Sequence, residues 1–242
     1  MVMDPTHLPL QHPDYRYPES RNPYSQKIEK YRGVVFSNNE TETLKGRWRA
    51  AVADGDSSPG RRLVVEIGCN AGHVIVEWAA RDPGSAYVGL DWKFKPIFRA
   101  AEKAEKKGLK NILFFRAHAD RIQHMFGPGE IDELCLYFPD PWAKKKQLKN
   151  RWLTAARLRE VAPLLKMGGI FHIKTDHLGY FEWMEEAVKE TSGLWEVLEH
   201  TRDLHAGNPR ARELKMPEVT LFERLFIADG IKINSFRLKR IR

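Results

Sequence analysis

The run Arg62-Leu63-Val64-Val65-Glu66-Ile67, ending on Gly68, restricts the fold more than any other stretch of the chain. A short apolar run that stops at glycine is the pattern of a parallel strand buried on both faces. The turn that follows reads Gly68-Cys69-Asn70-Ala71-Gly72, and beyond it Ile75, Trp78 and Ala79 fall on one helical face. A strand that enters a glycine-bearing turn and then a helix lets the backbone approach a nucleotide-like ligand closely. The turn is not an unbroken G-x-G-x-x-G, because Asn70 fills the middle glycine position. Asn is the residue other than glycine that best tolerates positive φ, so the turn is expected to survive with Asn70 left-handed.

Strands and helices alternate from there. Strands are predicted at 86–91, 111–116, 132–138, 169–175, 194–199 and 219–226, and helices at 93–107, 120–126, 151–165 and about 178–190. A further short helix is read over 41–52, followed by a turn cluster at 53–60. The alternation predicts an α/β, doubly wound fold with a seven-stranded, mostly parallel sheet and helices on both faces. Residues 1–40 are rich in Pro, Tyr, Asn and Ser without a sustained period; they read as a tail, either flexible or folded over the substrate. Residues 41–242 read as one domain, a size one α/β domain can fill.

Lys and Arg total 40 against 32 Asp and Glu, a net charge of +8. That balance favours an anionic partner, of which nucleic acid is the commonest. There is no run of eighteen apolar residues, which argues against a membrane span, and the N-terminus lacks a basic-then-apolar signal pattern. The two cysteines, Cys69 and Cys135, have no CxxC neighbour, so no zinc, other metal or redox pair is expected, and a reducing compartment fits.

The expected sheet edge gathers the chemistry. Asp91 ends the second strand, about 20 residues past the glycine turn, where an acid accepts from both ribose hydroxyls; a solvated strand-end carboxylate is the alternative. The third strand ends at Arg116-Ala117-His118-Ala119-Asp120, where an adenine ring commonly lies, although a lone loop histidine is also an ordinary polar surface group. The fourth ends in Phe138-Pro139-Asp140-Pro141-Trp142, a carboxylate fixed between two prolines beside an aromatic that either stacks on a base or serves as core or lid. Lys144, Lys145, Lys146, Lys149 and Arg151 follow, five cations in eight residues, as an RNA-facing loop or simply a solvated one.

The FPDPW segment with its basic loop resembles the bacterial tRNA (guanine-N7-)-methyltransferase family. EIGCNAG (66–72) looks like that family's EIG-x-G-x-G, His172-x-x-Thr175-Asp176 like its H-x-x-TD, and Val219 to Arg224 like its TKFE-R segment. The similarity covers roughly residues 60–226. It implies a Rossmann-like class I methyltransferase that moves a methyl group from S-adenosylmethionine, leaving S-adenosylhomocysteine, to guanine N7 in the tRNA variable loop (family position 46), giving 7-methylguanosine. It further implies that Glu66, Gly68, Asn70, Gly72, Asp91, Trp92, His118 and Ala119 line the cofactor site. Asp140 would lie between cofactor and base as the catalytic carboxylate. Lys144, Asp176, Thr220, Leu221, Phe222 and Glu223 would contact the guanosine; by their charge and position, Lys145, Lys146, Lys149 and Arg151 are expected to contact the RNA backbone. The expected setting is the cytoplasm, with tRNA as partner, no membrane, no obligate protein partner, and monomer or homodimer left open.

The chain departs from the family pattern at Asn70 for a glycine, His73 for an acid, His118 for Asp, Gln147 and Leu148 within the basic loop, and Leu221 for Lys. These departures suggest altered cofactor or tRNA contacts. Competing readings are a methyltransferase for another RNA atom or for protein, an RNA-binding scaffold with a decayed cofactor loop, and, on poor grounds, a dehydrogenase.

Overall fold

The computed structural model describes residues 4–52, 61–206 and 219–242. The turn cluster expected at 53–60 lies outside the described residues. The chain divides into two compact units, Met1–Glu130 and Ile131–Arg242.

The first unit holds strands β1 (Val35–Ser37), β2 (Leu63–Ile67), β3 (Ala86–Asp91) and β4 (Ile112–Arg116) with helices α1 (Pro23–Lys27), α2 (Trp48–Ala51), α3 (Ile75–Arg81), α4 (Phe94–Lys106) and α5 (Ile122–Met125). The strands pair in parallel, β1 with β4, β4 with β3 and β3 with β2, in registers such as Val35 opposite Phe114 and Asp91 opposite Arg116. Successive strand side chains leave on opposite faces. Ile112 and Phe114 enter a cluster with Ile75 and Val76 of α3 and Ile97, Ala100 and Ala104 of α4. Phe115 meets Trp48 and Phe126 instead, at ring-centroid distances of 4.5 and 5.7 Å. With both faces covered, the strands are apolar throughout and not alternating.

The second unit holds β5 (Ile131–Tyr137), α6 (Ala155–Val161), β6 (Leu165–Thr175), α7 (Leu178–Glu190), β7 (Trp195–Thr201), α8 (Leu221–Ala228) and β8 (Asn234–Arg240). β5 and β6 are parallel, while β8 runs antiparallel between β6 and β7. Phe181 of α7 stacks on Phe236 of β8 at 4.6 Å and fixes that helix over the sheet.

The α/β class agrees with the sequence pattern, but the strand inventory differs. Eight strands occur among the described residues instead of seven. Residues 35–37, read as tail, form β1 by borrowing the edge of β4, an affinity no local period reveals. Residues 219–226 are not a strand: α8 begins at Leu221, and the last strand is β8. The reason is a capping box, in which the Thr220 hydroxyl accepts the Glu223 N–H at 2.9 Å and the Glu223 carboxylate accepts the Thr220 N–H at 3.2 Å. The helix read over 41–52 is confined to Trp48–Ala51, after a 3₁₀ turn at Asn38–Glu42, and the one read over 151–165 to Ala155–Val161 with a 3₁₀ turn at Ala162–Leu164.

Candidate functional site

The first unit carries one cluster of the expected residues, at the C-terminal ends of β2, β3 and β4. Asn70 takes φ +49°, the left-handed conformation its glycine position demands, and its N–H donates to Asp91 Oδ2 at 3.1 Å. Asp91 Oδ1 accepts the Lys93 N–H at 2.9 Å. Gly68 and Cys69 donate to the Leu90 carbonyl, so the glycine turn is laced to the end of β3. Gly72 is required twice over: its φ is +67°, and an added Cβ would come within 3.0 Å of the Val76 and Ala100 side chains. That is the close helix approach expected of the last glycine in such a turn. Glu66 is buried at the end of β2 and Trp92 is 56% exposed beside Asp91. Burial raises the Asp91 pKa above the ordinary aspartate value, against the lowering effect of the backbone N–H groups of Lys93, Asn70 and Trp92. Burial, and then the charges of Asp91 and Glu66, push the Cys69 thiol far up, so it stays protonated.

His118 opens the turn after β4, where its Nδ1 accepts the Asp120 N–H at 3.3 Å, and Ala119 follows in a 3₁₀ turn. The His118 N–H donates to the Tyr17 hydroxyl at 2.8 Å. Arg116, paired in register with Asp91, lies over the Phe94 ring at 3.8 Å and donates to the Trp92 carbonyl. Tyr17 belongs to the stretch read as a patternless tail, and nothing in local sequence spacing flags it.

The second unit carries the other cluster. Phe138 and Trp142 have φ of +51° and +43°, rare for bulky residues, and they bracket Pro139-Asp140-Pro141. Strain of this kind concentrates at functional sites. Asp140 is exposed, and its carboxylate has no hydrogen-bond partner among the described residues. Asp176 is half-buried where β6 ends, one residue before the α7 cap. The cap His177 accepts the Tyr180 N–H through Nδ1, and Asn234 Nδ2 donates to the Thr175 carbonyl at 3.0 Å, which fixes the strand end on both sides.

Lys144, Lys145, Lys146 and Lys149 are exposed around a 3₁₀ turn at Lys145–Asn150, with no ion-pair partner among the described residues. Arg151 is different. It is buried, its Nε donates to the Pro141 carbonyl at 2.9 Å and Nη1 to the Gly179 carbonyl at 3.1 Å, and its guanidinium lies over Tyr180 and Trp183. The structure gives it the work of tying the Asp140 loop to the start of α7, not an open phosphate contact.

Glu223 also departs from expectation. It is fully buried, and its oxygens accept from His205 Nε2 at 2.7 Å, from Lys174 Nζ at 3.2 and 3.3 Å, and from the Thr220 N–H. Those four contacts fill the acceptor capacity of a carboxylate. In this arrangement it anchors α8 and is closed to a guanine edge. Phe222 beside it is about half exposed, while the Leu221 side chain lies outside the described set.

A family model described as "Putative methyltransferase" matches residues 60–233. A tRNA (guanine-N(7)-)-methyltransferase of Bdellovibrio bacteriovorus is 34% identical over 211 residues, covering 87% of this chain and 97% of the relative. The enzyme of the same name from Christiangramia forsetii is 30% identical, covering 87% and 93%. The chain belongs to the tRNA (guanine-N7-)-methyltransferase family. It is an enzyme of the methyltransferase class, and a 16S rRNA methyltransferase, KamB, shares its fold at 15% identity with a TM-score of 0.52 over 75% of this chain and 88% of the other.

Within this family frame, the glycine turn, Asp91 and Trp92 stand together in the first unit. Asp140, Lys144 and Asp176 stand in the second, with Arg151 and Glu223 behind them as internal supports. Sequence reasoning missed Tyr17, Arg121, Lys174 and His205. Only Thr220-x-x-Glu223 carried a local signal, the capping box that marks the start of α8. Among the described residues no group of three His, Cys, Asp or Glu side chains is placed to hold a metal ion, and no helix is long and apolar enough to cross a membrane.

Proposed function

We propose that this enzyme transfers the methyl group of S-adenosylmethionine to N7 of guanine 46 in the tRNA variable loop, in the cytoplasm. The observation that carries the reading is the pairing of two features under one family pattern. One is a glycine turn locked onto a strand-end carboxylate, and the other is an exposed carboxylate, Asp140, on a strained loop followed by unpaired lysines.

The residues of the first unit fit the cofactor. Asp91 keeps acceptor capacity beyond what it spends on its backbone N–H donors, and this suits ribose hydroxyls. Gly72 leaves a cradle that a Cβ would fill. Trp92 offers an exposed ring face for adenine. When bound, S-adenosylmethionine supplies an electrophilic methyl group on a sulfonium.

Guanine N7 is nucleophilic through an in-plane lone pair and loses no proton before attack, so the chain needs no strong general base. Its work is alignment and charge. The base becomes cationic as N7 is alkylated, and a carboxylate at Asp140 stabilises that charge. Asp176 suits the guanine N1–H and N2–H₂ donors, a pair adenine lacks. With Glu223 sequestered, Asp176 carries the choice of base. Because N7 is occluded in the deep major groove of an RNA duplex, a folded loop is the substrate, and the four exposed lysines meet its phosphates.

The test is methyl transfer with labelled cofactor on unmodified tRNA, followed by identification of the nucleoside. 7-Methylguanosine at one position is expected. Label in another nucleoside, or in protein alone, overturns the reading.

A further inference from the structure

We infer that Tyr17 is a positioning residue for the cofactor, acting through the His118–Ala119 turn, and that the N-terminal segment is therefore part of the cofactor site. The inference rests on the cofactor reading of the first unit given above.

The turn in question begins two residues beyond Arg116, the register partner of Asp91, and the Ala117 N–H donates to the Asp91 carbonyl at 3.2 Å. Neighbouring strands lie about 4.8 Å apart. A nucleoside whose ribose meets Asp91 must therefore lay its base against residues 117–119, and the placement of this backbone decides how well the base is held. The turn is joined to the cofactor cluster through the Ala117–Asp91 backbone contact. The N-terminal segment is tied to the turn and to the strand end before it at three places.

The first is the His118 N–H donated to the Tyr17 hydroxyl at 2.8 Å. The second is Arg121, which closes the same 3₁₀ turn and donates to the Leu10 and His12 carbonyls at 2.6 and 2.9 Å while its guanidinium lies under the Tyr15 ring. The third is Arg116, whose guanidinium lies 3.8 Å from the Phe94 ring and 5.7 Å from the Tyr17 ring and donates to Asn38. The segment itself is held in shape by Asn39, which donates to the Tyr15 carbonyl at 3.0 Å and accepts the Tyr17 N–H at 3.3 Å. Burial holds the Tyr17 phenol neutral, with its pKa pushed up to about 12, so the hydroxyl accepts from His118 at every working pH.

The arrangement also bears on the absence of the family's aspartate at position 118. A side-chain carboxylate is missing there, and the turn is instead fixed through the backbone by a tyrosine from a distant part of the chain. Positioning of this kind is separable from a general packing role, because removing one hydroxyl takes away the tie and leaves the ring.

The test uses the full-length protein with S-adenosylhomocysteine as the probe in calorimetry, alongside steady-state kinetics on tRNA. Tyr17→Phe is expected to weaken binding about 3- to 10-fold, the scale of one neutral hydrogen bond. It should raise KM for S-adenosylmethionine, leave kcat and KM for tRNA unchanged, leave Tm at the wild-type value, and speed hydrogen exchange at the His118 amide. Asn39→Ala, which removes the ties to Tyr15 and Tyr17 and a 3.3 Å contact to Glu42 while leaving the Tyr17 hydroxyl in place, should reproduce the rise in KM. Wild-type affinity in Tyr17→Phe overturns the inference, as does a fall in Tm with cofactor affinity intact, which would make the contact structural only. A wild-type protein that does not bind S-adenosylhomocysteine would instead overturn the cofactor reading itself.

Discussion

Arg121 and Glu42 form a two-pronged pair 79 residues apart in sequence, with Nε to Oε1 at 2.6 Å and Nη2 to Oε2 at 2.9 Å. The arginine is fully buried, and its Nη1 donates to the Leu10 and His12 carbonyls. Only a planar guanidinium satisfies a carboxylate and two carbonyls from one position. Arg121→Met would leave the Glu42 carboxylate without its counter-ion and two carbonyls without the Arg121 donors, and is expected to cost about 3 kcal/mol or more in chemical denaturation. Arg121→Lys should recover only part of this, and Glu42→Gln added to Arg121→Met should recover more by removing the orphaned charge. A loss under about 1 kcal/mol would mean that the pair contributes no more than a surface ion pair does.

On the proposed cofactor reading, Asp91 joins cofactor affinity to pH. Its oxygens hold the glycine turn through Asn70 and the start of α4 through Lys93, and burial raises its pKa above 3.8. For stability the sign is that of a buried acid: the ionised form is penalised in the fold, so rising pH through the raised pKa weakens Asp91's contribution, and acidification restores it. Cofactor binding runs the other way, since ribose hydroxyls need the carboxylate. Affinity for S-adenosylhomocysteine should fall on acidification, beginning at a higher pH than for an ordinary aspartate. Asp91→Ala should lose on the order of 1.5–3 kcal/mol of binding. Calorimetry across pH decides it, and unchanged affinity in the alanine variant removes Asp91 from the site.

Much of this site was legible because its signals are local. The glycine turn, the strand-end acid and the Pro-Asp-Pro segment each reside in fewer than ten residues, and Asn70 shows the left-handed φ that its place in the turn requires. The fold was legible for the same reason, since buried parallel strands are read from short apolar runs. What escaped depends on partners far along the chain. Tyr17 meets His118 across 101 residues, and β1 exists only as the edge partner of β4. Two misreadings had signals in reach. Phe236 and Leu238 alternate with Arg237 and Lys239, the period of a half-buried strand, while Thr220-x-x-Glu223 marks a helix start in a run that otherwise resembles a strand. Arg151 was read by charge as an RNA contact, but its aromatic and carbonyl neighbours are set by tertiary packing that composition does not encode.

Asp140 separates charge stabilisation from base catalysis. It is exposed and has no hydrogen-bond partner among the described residues, so its substitution should leave Tm unchanged. Asp140→Ala is expected to lose most turnover, while Asp140→Asn keeps a measurable fraction through positioning. The wild-type rate should show no steep dependence near neutral pH. An inflection there that vanishes in Asp140→Asn would assign proton abstraction to this carboxylate.

The lysines of the 144–150 turn give a salt-dependent prediction. Lys145, Lys146 and Lys149 are exposed and free of ion pairs among the described residues. Neutralising all three should weaken tRNA binding and flatten the slope of log K against log salt by about two to three units if each meets a phosphate. Cofactor affinity should stay at the wild-type value. Arg151 is left out because it braces the loop from within, and its loss would disturb Asp140. A triple variant with the wild-type salt slope would make the turn a merely solvated surface.

His172 makes the fold sensitive to acid. It sits on β6 with Nδ1 2.9 Å from the Tyr137 hydroxyl and Nε2 3.3 Å from Ser235 Oγ. Burial, followed by the charges of Lys174 and Arg237, lowers its pKa from 6.5 to about 3, so the folded chain keeps it neutral. The unfolded chain protonates the same side chain near its ordinary value. Between those two values the unfolded state holds the extra proton, and stability is lost as pH falls, by at most about 1.4 kcal/mol per pH unit. Above the ordinary value neither state is protonated at this residue, and the contribution is constant. His172→Asn keeps a polar group between Tyr137 and Ser235 but cannot titrate. Urea unfolding followed from about pH 7.5 to about pH 5 should therefore show a steeper loss for the natural chain than for this variant, whatever their difference at the higher pH. Parallel curves would mean that the acid sensitivity arises elsewhere, and that His172 takes up its proton over the same pH range folded as unfolded.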